Sequence, residues 1–285
     1  MPQGLLLNVK YVAGGYGYLL SRLREVETVS NTDILVVGSS HAYRGFDPRE
    51  FQADSLNMFN LGSSSQTPMQ TEYLIDKYID KLKPKTVIYE VFPATFENQG
   101  VESTLDIISN SEINIELFKA VLLNKNWETF STFFYTIGKR IVTDLNSVQE
   151  STYYKTDKYI SGGYVEKELA ENTHKRGFTL KNIDLLPAQK EAFERTIQKL
   201  NEKGIKVLLI QAPITREYYD SIKNKKKIDN YFSGFQNVTY YNFNNYYYLN
   251  SVKDFYDHHH LNQRGVKDFN KELLLKLKPI LKSKG

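Results

Sequence analysis

Five short apolar runs, set apart by helical patterns, constrain this fold more than any other feature of the sequence. They are Ile34-Leu35-Val36-Val37, Met58-Phe59-Asn60-Leu61, Thr86-Val87-Ile88-Tyr89 with Val91, Val207-Leu208-Leu209-Ile210, and Val238 to Phe243. A run that is continuously apolar predicts a strand buried on both faces, as in a parallel sheet; a half-exposed strand would alternate. Between the runs the period changes to about 3.6. Thr67-Pro68 opens a helix carrying Met69, Tyr73, Leu74, Tyr78, Ile79 and Leu82, which Lys83-Pro84 ends. Leu186 to Lys203 repeats the pattern through Ala192, Phe193, Ile197 and Leu200, with Gly204 as its C-terminal cap. Gln263 to Leu281 closes the chain with Val266, Phe269, Leu273, Leu274 and Leu277. Alternating strand and helix predict an α/β protein, a three-layer α/β/α sandwich around a five-stranded parallel sheet with right-handed crossovers.

Residues 96–184 break the alternation. Ile113 to Leu145 reads as one or two helices carrying Phe118, Leu122, Trp127, Phe130, Phe133, Phe134 and Ile137, and Tyr153 to Tyr164, with Gly162-Gly163, reads as a loop. This stretch is expected to be a helical and loop insertion covering one end of the sheet, within a single domain of residues 1–285.

Composition excludes several classes. The 285 residues are 41% hydrophobic and 25% charged, which predicts a soluble globular chain. The absence of cysteine removes disulfide scaffolds, cysteine nucleophiles and Cys-ligated metal centres. Lys+Arg 37 against Asp+Glu 33 leaves +4, too little for a nucleic-acid partner, and the Lys223 to Lys227 run reads as a solvated turn or helix face. Near the N-terminus, Leu5-Leu6-Leu7 and Tyr11 to Leu20 make a poor signal-peptide core. No run approaches the roughly 18 apolar residues of a membrane span.

In open α/β sheets the functional groups gather beyond the carboxyl ends of the strands. Gly38-Ser39-Ser40-His41 follows the first run, Gly62-Ser63-Ser64-Ser65-Gln66 the second and Glu90-Val91-Phe92-Pro93 the third, while Asp257-His258-His259-His260 precedes the last helix. A serine in a tight strand-to-helix turn suggests nucleophilic acyl transfer when a histidine can take its proton and a carboxylate can orient that histidine. Asp257 and His260 can form the second pair locally, and the amides of Ser40 and Gly62 can stabilise an oxyanion. Other readings stand beside this one. Gly-Ser-Ser also makes a helix cap or an anion nest. Glu90 can be an ion-pair partner of Arg44 or a lysine. The histidine cluster can bind metal, although adjacent side chains diverge and no helical His-x-x-x-His pair exists.

These blocks resemble the SGNH/GDSL hydrolase superfamily. Gly38-Ser39-Ser40 matches its first block, Asn60-Leu61-Gly62 the block with the oxyanion glycine, and Asp257 to His260, with Leu261-Asn262 and Gly265, the final D-x-x-H. The resemblance implies a flavodoxin-like sandwich and an acyl-serine intermediate. Ser40 would be the nucleophile, His260 the base and Asp257 its orienter, with no cofactor or metal. His41, Arg44 and Glu90 are weaker candidates for substrate contact. The family's third block usually supplies an oxyanion-hole asparagine, but here Glu90 stands in that region, and a carboxylate cannot donate unless protonated. His41 or Gln66 is a candidate replacement.

Gly-Ser-Ser-His without that asparagine is similar to the branch of bacterial cell-envelope esterases and O-acetyltransferases. It implies an acylated small molecule or glycan as substrate, with water or a sugar hydroxyl as acceptor. It also favours an extracytoplasmic location, with a membrane-embedded acyl-transfer partner if the chain is exported. The contrasting expectation is a carbohydrate-binding accessory protein that has lost efficient catalysis on the same fold.

Overall fold

The structure is a computed structural model that describes residues 9–173 and 177–282; the Leu5–Leu7 triplet lies outside them. The five apolar runs form β1 (Ile34–Val37), β2 (Met58–Asn60), β3 (Thr86–Glu90), β7 (Lys206–Gln211) and β8 (Val238–Asn242). They build one parallel sheet in the order β2-β1-β3-β7-β8.

Side chains alternate across the strands, so each continuous run feeds two cores. Leu35, Val37, Phe59, Val87, Tyr89, Val207 and Leu209 point to one face, where helices Pro68–Leu82, Pro187–Glu202 and Lys225–Ser233 pack. Ile34, Val36, Met58, Ile88, Leu208 and Ile210 point to the other, under helices Ser40–Gly45, Pro48–Ala53 and Gln263–Lys282. The sandwich is therefore three-layered.

Local chemistry sets the helix ends. Thr67 and Gln70 form a capping box around Pro68, and Lys83 ends that helix at φ 43. Gly204, at φ 68, follows the cap of Pro187–Glu202. The lysine run opens helix Lys225–Ser233. Among the described residues no helix is long and apolar enough to cross a membrane.

The Ile113 to Leu145 stretch is two helices, Ile115–Asn124 and Trp127–Val142, separated at Lys125 with φ 52. Ahead of them stands Val101–Asn110. Ile107, Ile108, Leu117, Val121 and Phe133 from these three helices join the same core cluster as Val37 and Tyr89. The expected loop at 153–164 is instead part of a three-stranded antiparallel sheet of β4 (Tyr153–Tyr154), β5 (Asp157–Ile160) and β6 (Tyr164–Lys167). Gly162 and Gly163, at φ 91 and 83, make the β5–β6 turn. Its strands are too short and too polar for a periodicity signal, but the paired glycines fit a hairpin turn.

Candidate active site

Backbone geometry at the end of β1 fixes the first residue of the site. Gly38 sits at φ 138, and a Cβ there would come within 2.8 Å of the Glu90 Cβ and carbonyl oxygen, so only glycine lets β1 run this close to β3. Ser39 then caps helix Ser40–Gly45, its Oγ accepting from the His41 amide at 3.2 Å. The turn places Ser40 as the first helical residue, half-buried at the carboxyl edge of the sheet.

His260 arrives from the turn before the last helix, 220 residues later, and Ser40 Oγ donates to its Nε2 at 2.7 Å. Asp257 organises that turn: Oδ1 accepts from the His259 and His260 amides at 2.9 and 2.8 Å, and Oδ2 accepts from His260 Nδ1 at 2.8 Å. The D-x-x-H spacing thus folds the turn and orients the ring together. Tyr256 stacks on the His260 ring at 5.3 Å and 5°.

Burial pushes the His260 imidazole down to about 4, with the Asp257 hydrogen bond opposing and His41 and Arg44 reinforcing the shift. Burial alone would raise the Asp257 carboxyl, but its hydrogen bond to His260 and the charges of His260 and His259 hold it well below the usual carboxylate range. At neutral pH the pair is an anionic aspartate beside a neutral imidazole, which can accept a proton from Ser40.

The other sequence candidates fall in different places. Glu90 is 2% exposed and accepts from the Ser39 amide and Oγ at 3.1 and 2.8 Å, so it braces the turn from inside the protein and has no free face for substrate. Among the described residues it pairs with neither Arg44 nor a lysine; its titratable partner there is His41, whose Nδ1 lies 3.7 Å from Oε1. Arg44, 3% exposed, is bound to Asp157 of β5 at 2.6 Å and faces the Tyr43 and Tyr16 rings. These contacts turn it inward, away from the substrate role expected of it. His41 is likewise buried and spends Nε2 on His259 Nδ1 at 2.8 Å.

Of the two expected oxyanion donors, the structure engages one. The Gly62 amide donates to Asn60 Oδ1 at 3.0 Å, so it is committed within its own loop. What the position demands is space: a Cβ would meet Ala42 Cβ at 2.7 Å. Gln66 is buried, accepting at Oε1 from Ser63 and donating from Nε2 to Thr71, each at 2.8 Å, which leaves one amide hydrogen without an acceptor among the described residues. The Ser40 amide, at the start of its helix, has no intramolecular partner among the described residues.

Sequence reasoning missed the His41–His259 pair and the Arg44–Asp157 pair. Partners 218 and 113 residues apart leave no local spacing signal.

No family model and no curated protein matches the chain. Among solved structures it is similar to a Bacteroides fragilis protein named as a candidate acylhydrolase, at 12% identity over 94% of this chain and 99% of that one, with a TM-score of 0.44. It is also similar to a Streptococcus pneumoniae protein named as a candidate platelet activating factor, at 12% identity over 92% and 91% of the two chains, with a TM-score of 0.45. Both likenesses are remote, and the chemistry of the site is read from its own atoms.

Proposed function

We propose that the protein is a serine-dependent ester hydrolase or O-acyltransferase of the SGNH/GDSL type, working through an acyl-serine intermediate on an acylated small molecule or glycan. The observation that carries this reading is the continuous line of hydrogen bonds Ser40 Oγ to His260 Nε2 at 2.7 Å and His260 Nδ1 to Asp257 Oδ2 at 2.8 Å. As Ser40 Oγ bonds to the acyl carbon, His260 takes its proton and Asp257 stabilises the imidazolium. His260 then returns the proton to the departing alkoxide. Water or a sugar hydroxyl, deprotonated by the same nitrogen, then bonds to the acyl carbon, and as the bond to Ser40 Oγ breaks His260 returns the proton to that oxygen. The Ser40 amide faces the developing oxyanion, and Gly62 adds a second donor only by exchanging its Asn60 partner. With one donor withheld, the turnover should fall by roughly 10² to 10³ relative to a complete hole.

The test uses an activated acetyl ester and a fluorophosphonate probe. Wild type should hydrolyse the ester and take one covalent label. Ser40→Ala, with an unchanged circular dichroism spectrum, should lose the label and about 10⁴-fold or more of turnover. A wild-type protein that neither turns over nor labels would refute the proposal.

A further inference from the structure

Three imidazoles converge where the proposed reaction uses one. His41, His259 and His260 present ring nitrogens that all lie within 4.8 Å of one another. Ring centres are 3.9 Å apart for His259 and His260 and 5.0 Å apart for His41 and His260. His41 comes from the helix after β1, and its Nε2 lies 2.8 Å from Nδ1 of His259, which comes from the turn before the last helix.

Two of these rings have a carboxylate behind the nitrogen that faces away from the cluster. Asp257 Oδ2 holds His260 Nδ1 at 2.8 Å. Glu90 Oε1 faces His41 Nδ1 at 3.7 Å in a buried gap where neither atom has a hydrogen bond among the described residues. The Asp257 hydrogen bond keeps the proton on the far nitrogen of His260, so its near nitrogen offers a lone pair, as in histidine ligands on metals, and the Glu90 carboxylate behind His41 favours the same tautomer there by charge alone. Glu90 and Asp257 also supply negative charge directly behind the rings. Arg44 lines the small cavity beside them, but its charge is matched by Asp157 at 2.6 Å.

We propose that His41 Nε2, His259 Nδ1 and His260 Nε2 form an inhibitory binding site for a divalent transition-metal ion of the zinc class. Zinc holds imidazole nitrogens at about 2.0–2.1 Å, and a tetrahedral array separates neighbouring ligand atoms by about 3.3 Å. The His41–His259 pair must therefore open by about half an ångström, and the widest pair of the three, up to 4.8 Å apart, must close by up to about 1.5 Å. The fourth position falls to water or to Ser40 Oγ, which already lies 2.7 Å from His260 Nε2. His41 and His260 keep their protons on the nitrogens facing Glu90 and Asp257. His259 releases its Nδ1 proton and takes one up at Nε2, so no net proton is consumed by the rings.

A second grouping, Asp257 with His258 and His259, is a poorer cage. Both Asp257 oxygens are already accepting, three bonds in all, from the His259 and His260 amides and the His260 ring. Inhibition follows because an ion on His260 Nε2 occupies the lone pair that would take the Ser40 proton. This last step rests on the serine-hydrolase reading; the site itself does not.

The experiment titrates metal-stripped full-length protein with Zn²⁺ against a chromophoric chelator, and with Co²⁺ by visible absorption. One ion should bind per chain, with the intense bands of tetrahedral cobalt. His259→Gln and His41→Gln should each weaken binding by at least about tenfold, and His258→Gln should not. His259 is the less buried of the two, which keeps the test open if the His41 variant fails to fold. In parallel, Zn²⁺ should abolish ester hydrolysis over the same concentration range, EDTA should restore it, and half-inhibition of His259→Gln should need at least about ten times more zinc, whatever its basal rate. Absence of stoichiometric binding, or weakening by His258→Gln but not His259→Gln, overturns the site. Binding there without loss of hydrolysis overturns the inhibitory role. Metal-free protein with no hydrolysis refutes the proposed function, and the binding titration then decides the site alone.

Discussion

His260 has to be neutral to accept a proton, and Asp257 has to be charged to hold it in place. Burial brings the His260 value down to about 4, so its working form persists well into acid. We expect kcat/KM on an activated ester to stay flat from neutrality to about pH 5 and to be lost as pH falls through about 4. An unperturbed histidine, near 6.5, would already have lost more than tenfold by pH 5. A pH profile whose acid limb falls near 6.5 would remove the buried-base account. Stability should follow the same direction. The folded value lies below the unfolded one, so the unfolded chain binds more protons between about 4 and 6.5. The His260 contribution to stability is then complete above pH 6.5 and is lost as pH drops through that window, by up to about 3 kcal/mol, and His259, which burial also lowers, adds to the fall in the same direction. Ser40, Asp257 and His260 stand out in the sequence because a serine turn after a strand and a D-x-x-H turn each have local logic. Gly62 shows where that logic ends: whether its amide is free depends on the rotamer of Asn60, which no spacing reveals.

The small antiparallel sheet clamps the serine-bearing helix. Asp157, at the start of β5, is 3% exposed and bound to Arg44 of helix Ser40–Gly45 at 2.6 Å. At the β5–β6 turn, the Gly162 carbonyl accepts from the Asn60 amide at 2.9 Å and the Gly163 carbonyl from Arg22 Nε at 2.9 Å. Among the described residues Arg44 Nε and Nη1 have no hydrogen bond of their own, so Asp157 is what compensates its buried charge, with the surrounding tyrosine faces adding to it. Removing one member of such a pair leaves an uncompensated charge in the interior. Asp157→Asn should therefore lose about 3–5 kcal/mol in urea unfolding, while Arg44→Met combined with Asp157→Asn should recover much of that loss. A single variant as stable as wild type would mean the clamp carries no energy. The contact was illegible in the sequence for a physical reason: β4 has two residues and β5 and β6 four each, and such short polar strands draw their stability from what they pack against.

At the scale of the molecule, the parallel strands were readable from their apolar runs, but not their order, since periodicity says that a strand is buried and not which strand lies beside it. The order β2-β1-β3-β7-β8 brings the carboxyl ends of β1, β2 and β3 together, and Ser40, Asn60 and Glu90 with them. The insertion between β3 and β7 adds its own side chains to the first core: Ile108, Leu117 and Phe133 belong to the cluster that contains Val37, Tyr89 and Leu209. A shared core predicts shared cooperativity, because among the described residues the insertion's buried side chains belong to the same cluster as the sheet's, and separating them would expose apolar surface. Trp127, the single tryptophan, stacks on Phe130 within the insertion at 6.0 Å and reports on that part alone. Far-UV circular dichroism reports on the whole chain. The two signals should trace one urea transition in the wild type. Phe133 is 3% exposed, so Phe133→Ala should lower stability by about 3–5 kcal/mol and move both signals to the same new midpoint. A tryptophan transition that moves while the dichroism midpoint stays would mean that residues 96–184 fold as a unit of their own.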